Sequence, residues 1–164
     1  MSADGSIAVG VRNNFGPASR LTAQTGTVDI GGDGFQAKIS RDGKSIVSNA
    51  KDSTGFSSAA IWLGGTKWRT LGGLPGGEAS GETLSTAFSV SADGSVIVGL
   101  GCVTPGRAHG FRWDALNGIV DLESLQGQNS RASVVSADGN IVLGWGENPP
   151  RDQTFDYGLW RGAM

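Results

Sequence analysis

The sequence predicts an all-β chain, a β-propeller of four-stranded antiparallel blades with about 3.5 blades per chain, and three observations carry that prediction. The string Ser-x-Asp-Gly recurs at Ser2–Gly5, Ser40–Gly43, Ser91–Gly94 and Ser136–Gly139, with its aspartates spaced by 38, 51 and 45 residues. A period of about 40–50 residues is that of a four-stranded blade. Each copy runs into a short apolar segment rich in β-branched residues, and an aromatic segment follows about twenty residues after the aspartate in three of the four. Glycine stands at 28 of 164 residues, no stretch sustains an apolar i, i+3, i+4, i+7 pattern, and both facts disfavour helices.

The elements follow in order within each repeat. Strand A is expected at Phe35 to Ser40, Ala87 to Ser91 and Ala132 to Ser136. The Asp-Gly pair then turns the chain, because glycine supplies the positive φ that a tight hairpin needs. Strand B is Ser6 to Gly10, Ser45 to Ser48, Ser95 to Gly99 and Asn140 to Gly144. Strand C holds Trp62, Trp113 and Trp160, with Leu21 at the matching place of the first copy. Strand D is Thr27 to Ile30, Lys67 to Leu71 and Ile119 to Leu122, each entered through glycine.

The chain thus divides into a partial blade 1–34, blades 35–85 and 86–130, and a partial blade 131–164. The first copy has no strand A before its turn and the last has no strand D, so the expected strand counts are three, four, four and three. Fourteen strands do not close a ring of roughly six to eight four-stranded blades. The sequence therefore predicts completion by copies of itself, most simply as a homodimer, or membership of a longer array.

Composition excludes several function classes. A formal net charge of −2 and a pI near 5.3 provide no basic surface for phosphate neutralisation, so nucleic acid is not an expected partner. One cysteine, Cys102, rules out an internal disulfide and reads as a small packed residue. No apolar run reaches the 18 residues of a membrane span, and the start, Met1 to Ser6, lacks the basic and apolar regions of an export signal. Membrane insertion is not expected, and the chain as written is expected to stay where it is made.

The run Ser91 to Gly99, followed by Gly110-Phe111-Arg112-Trp113 and Ile119 to Leu122, resembles the HAF repeats of extracellular and autotransporter-type bacterial proteins. The segment Leu71 to Gly77 is similar to the linker after strand D in that family. The resemblance covers nearly the whole chain. It implies a propeller-like repeat and a secreted or cell-surface setting for the parent protein, and no particular activity.

In an up-and-down meander the A–B and C–D turns share one end of each blade, and the B–C and D–A loops share the other. The A–B turns are nearly identical between copies, whereas the loops at the opposite end vary, and variable loops on a rigid scaffold are where binding chemistry is usually placed. Arg12, Asn14, Asp52, Glu82, Arg131 and Glu147 are the polar candidates there, and Trp68 and Trp145, which fall outside the tryptophan register of strand C, are the candidates for exposed aromatic contacts, with core packing as their alternative reading. The three periodic tryptophans read as packing between blades.

His109 is the only histidine, and Arg107 precedes it by two, so alternation places both on one face of strand C. Together they could orient or protonate an anionic substrate. The bland alternative is a surface histidine opening a strand. A zinc site is excluded by one His and one Cys. Calcium, which accepts loose oxygen coordination, is the one metal with candidate ligands, at Asp33, Asp52, Glu82 and Glu147, and no other cofactor is indicated. The four repeated aspartates read as turn formers.

The function expected is a binding or structural module that presents its variable loop face to a glycan, a peptide or a surface partner. The alternative is a hydrolase of an ester, lactone or phosphoester with its site at the channel mouth, assisted by calcium. No catalytic set is recognisable to support it, and it rests on analogy with other propellers.

Overall fold

A computed structural model describes residues 1–13, 16–81, 83–124 and 129–147, together with the backbone of 155–161. Among the described residues, fourteen strands form four antiparallel sheets, each a simple meander. Sheet 1 has the order β1 (Ile7–Val11), β2 (Ala18–Thr22), β3 (Gly26–Gly31). Sheet 2 comprises β4 (Lys38–Ile39), β5 (Ile46–Lys51), β6 (Ser57–Gly64) and β7 (Lys67–Thr70). Sheet 3 comprises β8 (Ser85–Val90), β9 (Val96–Thr104), β10 (Arg107–Asp114) and β11 (Gly118–Asp121). Sheet 4 holds β12 (Ser130–Val135), β13 (Ile141–Glu147) and β14 (Phe155–Arg161). The counts of three, four, four and three are those the repeats predict.

Each Ser-x-Asp-Gly string closes its hairpin in the same way. The serine hydroxyl donates to the aspartate two residues on, at 2.7 Å for Ser2–Asp4, 2.5 Å for Ser40–Asp42, 2.7 Å for Ser91–Asp93 and 2.5 Å for Ser136–Asp138. The same carboxylate accepts the backbone N–H two residues beyond it, from Ser6, Lys44, Ser95 and Asn140 at 3.0–3.1 Å. The glycines sit at φ between 72° and 79°, where a side chain would be strained. These aspartates are turn residues, as their context predicts.

The four sheets stack face to face, and the core is the set of layers between them. Ile46 of β5 packs with Ala18 and Ile30 of sheet 1, with Val9, Trp62 and Trp68 at the margin. On the opposite face of sheet 2, Val47 and Ala59 meet Ile97, Phe111 and Trp113 of sheet 3. Val96 and Val98 of sheet 3 then meet Ala132, Val135 and Val142 of sheet 4. Because side chains alternate along a strand, neighbouring residues such as Ile46 and Val47 serve two different layers. That is why strand B reads as an unbroken apolar run.

One expectation needs correction. Strand A of the second repeat is two residues long, Lys38–Ile39, and Phe35 at its predicted start is 58% exposed. Upstream of β4 the pairing passes to side chains: Ser48 Oγ donates to the Gln36 carbonyl, and Gln36 Nε2 donates to the Ala87 carbonyl. The long linker before β8 forms a single turn of 3-10 helix, Gly77–Ser80, entered through Gly76 at φ 85°. Its glycines fit closely, since a methyl group at Gly77 would lie 2.4 Å from the Cys102 carbonyl oxygen. Of the two readings of Trp68, exposed contact and core packing, the structure supports packing: it is half-buried between sheets 1 and 2, where its indole N–H donates to the Ile30 carbonyl at 2.7 Å. Among the described residues no helix is long and apolar enough to cross a membrane.

Candidate functional site

The B–C and D–A connections meet at one end of the meanders, and at sheets 3 and 4 they gather a polar cluster. Its centre is His109, near the start of β10. Asp121, at the end of β11, lies opposite Phe111 in the ladder, which makes it the diagonal neighbour of His109 on the same face. The two side chains meet, with Nδ1 of His109 at 2.9 Å from Oδ2 and 3.0 Å from Oδ1 of Asp121. Asp121 is itself held by the N–H of Glu123, at 2.6 Å. Glu123 takes a positive φ of 60°, which bends the chain back over the end of β11. The histidine side chain is 20% exposed and the aspartate 32%. With Nδ1 engaged, Nε2 is the ring nitrogen free of any hydrogen bond among the described residues.

A second set of bonds ties this end of sheet 3 to sheet 4. Asn129 Oδ1 accepts the N–H of Ala108 at 2.8 Å, and its Nδ2 donates to Glu147 Oε2 at 2.9 Å. Ser130 Oγ accepts from Gly110 N–H and donates to the Glu123 carbonyl. The segment entering β12 is therefore fixed to the backbone on both sides of His109. Arg131 lies deeper, its guanidinium carbon 3.6 Å from the centroid of the Phe88 ring. Its Nε finds no acceptor among the described residues, and burial pushes its pKa down. Arg131 thus packs between sheets 3 and 4 rather than lining a rim.

The remaining predicted residues are spread across the molecule. Arg107 is exposed, but a register shift between Arg107 and Ala108 interrupts the ladder, and no ion pair or hydrogen bond joins it to His109. Arg12 is exposed in the first loop. Asp52 is consumed by its own loop: the Thr54 hydroxyl donates to it at 2.6 Å and Thr54 and Phe56 add their N–H groups. Those bonds, the hydroxyl first, hold its carboxyl below the ordinary range. Asp33 is tied to sheet 2 through its N–H, which donates to the Asn49 carbonyl. Trp145 is half-buried on β13. Asn14 and Glu82 lie outside the described residues.

Of the calcium candidates that are described, Asp52 and Glu147 spend their carboxylates on Thr54 and Asn129. Among the described residues no group of three or more His, Cys, Asp or Glu side chains could hold a metal ion. Cys102 is half-buried next to the linker, and burial raises its thiol pKa, the opposite of an activated nucleophile.

Asp121 and Asn129 acquire their roles only through strand register. Asp121 stands twelve positions from His109, and no local motif links them; the one signal was the Ile-Val-Asp end of strand D, opposite the start of strand C.

No family model matches the chain, and no curated protein matches it in sequence. Solved structures do match in fold. TolB from Acinetobacter baumannii aligns with 98% of this chain at a TM-score of 0.66 and 18% identity. A putative TolB from Agrobacterium tumefaciens aligns with 98% at a TM-score of 0.69 and 20% identity. The chain spans 39% and 56% of the length of these two proteins. At such identities the likeness concerns the fold, which is that of a partial β-propeller of about 3.5 blades.

Proposed function

We propose that this chain is a binding module, a propeller segment that receives a polar group of a peptide or glycan at the His109 end of sheets 3 and 4. The observation that supports this reading is the His109–Asp121 pair. The ring is oriented by a hydrogen bond to the Asp121 carboxyl group and is partly open to solvent, and its Nε2 is unengaged among the described residues, so it can donate to or accept from a partner group. The cluster around it is held by bonds to backbone on two sheets, so little ordering is needed when a ligand arrives. No hydroxyl or thiol nucleophile is hydrogen-bonded to the histidine among the described residues, which distinguishes the pair from a nucleophile–base–orienter arrangement.

A second reading draws on the same pair. A histidine whose Nδ1 is fixed by a carboxylate is poised to act as a general base on water, and a hydrolase of esters, lactones or phosphoesters would use it so.

One experiment separates the two. Peptide and glycan arrays are probed with the parent chain and with His109→Ala and Asp121→Asn, and the same three proteins are assayed on chromogenic esters and phosphoesters with and without EDTA. The binding reading expects captured ligands that His109→Ala loses, and no turnover. Turnover by the parent that His109→Ala abolishes would establish the hydrolase instead, and binding indifferent to both substitutions would remove this end as the site.

A further inference from the structure

The joints between the four sheets repeat one design, and the two outer faces carry its unmatched halves. At each internal joint the Ser-x-Asp-Gly turn of one sheet bonds to the turn of the next. Ala3 N–H donates to the Arg41 carbonyl at 2.8 Å, Asp42 N–H to the Ala92 carbonyl at 3.1 Å, and Ala92 N–H to the Ala137 carbonyl at 2.9 Å. The direction is constant, from each sheet to the one after it. At the outer ends, Ala137 N–H has no acceptor among the described residues and the Ala3 carbonyl has no donor. One end offers the donor and the other the acceptor.

The turn glycines tell the same story. A methyl group built on Gly43 would lie 3.3 Å from Ile7 Cδ1, one on Gly94 would lie 2.1 Å from Ser45 Oγ, and one on Gly139 would lie 2.6 Å from Val96 Cγ2. In each case the glycine is seated on the residue three positions after the aspartate of the preceding sheet. Gly5 has nothing within 4 Å. Ile141, the corresponding residue of sheet 4, is 38% exposed, whereas Val96 at the same position is 5% exposed beneath sheet 4. Leu143 is 47% exposed, whereas its equivalents Val47 and Val98 are fully buried. On the outer face of sheet 1, Leu21 is 46% exposed in the register position that Trp113 fills at 8% in sheet 3.

We infer that the outer face of sheet 4 binds the outer face of sheet 1 of a second copy of this chain, head to tail, by repeating the internal joint. Ala137 N–H of one copy then donates to the Ala3 carbonyl of the other, Ile141 seats under Gly5, and Leu143 covers the shallow face formed by Ala8 and Leu21. The occupant is a second copy because the chain's own two ends supply the matching donor and acceptor, the matching knob and gap. Such a contact is heterologous, and the proposed dimer uses it twice, once at each end of the chain.

Sedimentation of the whole chain over a concentration series tests this, with Leu21→Glu and Ile141→Glu as variants at exposed positions. The parent is expected as a dimer, twice 16.8 kDa, and each variant alone as a folded monomer. Mixed together, the variants are expected to recover a 1:1 complex, because each retains the face that the other has lost, and misfolded variants could not do so. A well-folded parent monomer throughout the series overturns the proposal. So does a dimer that survives Leu21→Glu, which would mean that like faces pair.

Discussion

The carbonyl of Ile30 accepts the indole N–H of Trp68 at 2.7 Å, a bond that joins the outer strand of sheet 1 to the outer strand of sheet 2. Its origin is a break in the β2–β3 ladder. Ala18 pairs with Gly31 and Ser19 with Asp29, which leaves Ile30 without a cross-strand partner. A bulged residue has unpaired backbone groups, and Trp68 satisfies the one that is buried. Trp68→Phe keeps most of the ring and removes the donor. The expected cost is about 1–3 kcal/mol, the penalty of orphaning a buried carbonyl. Urea unfolding should show the midpoint lowered with an unchanged slope.

The turn aspartates make the fold sensitive to acid. Asp4 is held down to about 2 by the Ser2 hydroxyl first and then by Ser6, and Asp93 to about 2 by the Ser95 N–H and the Ser91 hydroxyl. A carboxyl with a folded pKa below its unfolded value of 3.8 contributes stability above that value. That contribution is lost as pH falls through the window from about 3.8 to about 2. Chemical denaturation across this window should show stability falling with pH in the parent. In Asp93→Asn the fall should be shallower, since one of the titrating carboxyls is gone; an unchanged slope would count against the turn as its source.

How much of this was legible in the sequence depended on whether a feature was local. The hairpins were, because Ser-x-Asp-Gly specifies its own bonds within six residues and the following Ile or Val run can only be a strand. The packing role of Trp113 was legible from its period. For Trp68 the sequence left exposed contact and core packing both open, because what buries it is a bulge in another sheet, which no periodicity of its own strand records. At the candidate site His109 was visible as the one imidazole, but its partner Asp121 depends on β10–β11 register, and Arg131 stacks on Phe88, 43 positions earlier, through contact between sheets. Asn14 and Glu82 lie outside the described residues, so the structure does not bear on them.

Asn49 is 2% exposed, and its Nδ2 donates to the Ser85 carbonyl at 2.9 Å and to the Thr86 hydroxyl at 3.2 Å, linking β5 to the inner strand of sheet 3. Asn49→Asp preserves the shape and replaces this donor by a carboxylate facing a carbonyl. An unpaired buried charge should cost about 3 kcal/mol or more at neutral pH. The new carboxyl would have a folded pKa above its unfolded value, so the loss should shrink as pH falls towards the unfolded value and the group is protonated in both states. A stability deficit that is constant between pH 7 and pH 4 would mean that the charge is not what destabilises.

Gly99 and Gly10 occupy the same repeat position, six residues after Asp93 and Asp4, yet they should respond oppositely to alanine. A methyl group at Gly99 would lie 1.9 Å from the Thr86 carbonyl oxygen and 2.7 Å from the Phe111 ring, so the β8 backbone and a fully buried aromatic would both have to move. Gly10 has nothing within 4 Å. Neither glycine has a positive φ, so the contrast isolates packing from backbone strain. Gly99→Ala should cost about 1–3 kcal/mol or prevent folding, as overpacking does. Gly10→Ala should lie within about 0.5 kcal/mol of the parent, as surface substitutions usually do. Paired thermal melts decide it. Equal losses at the two positions would mean that what crowds Gly99 is common to all the repeats; the structure instead attributes it to β8 and Phe111, which sheet 1 has no counterpart for.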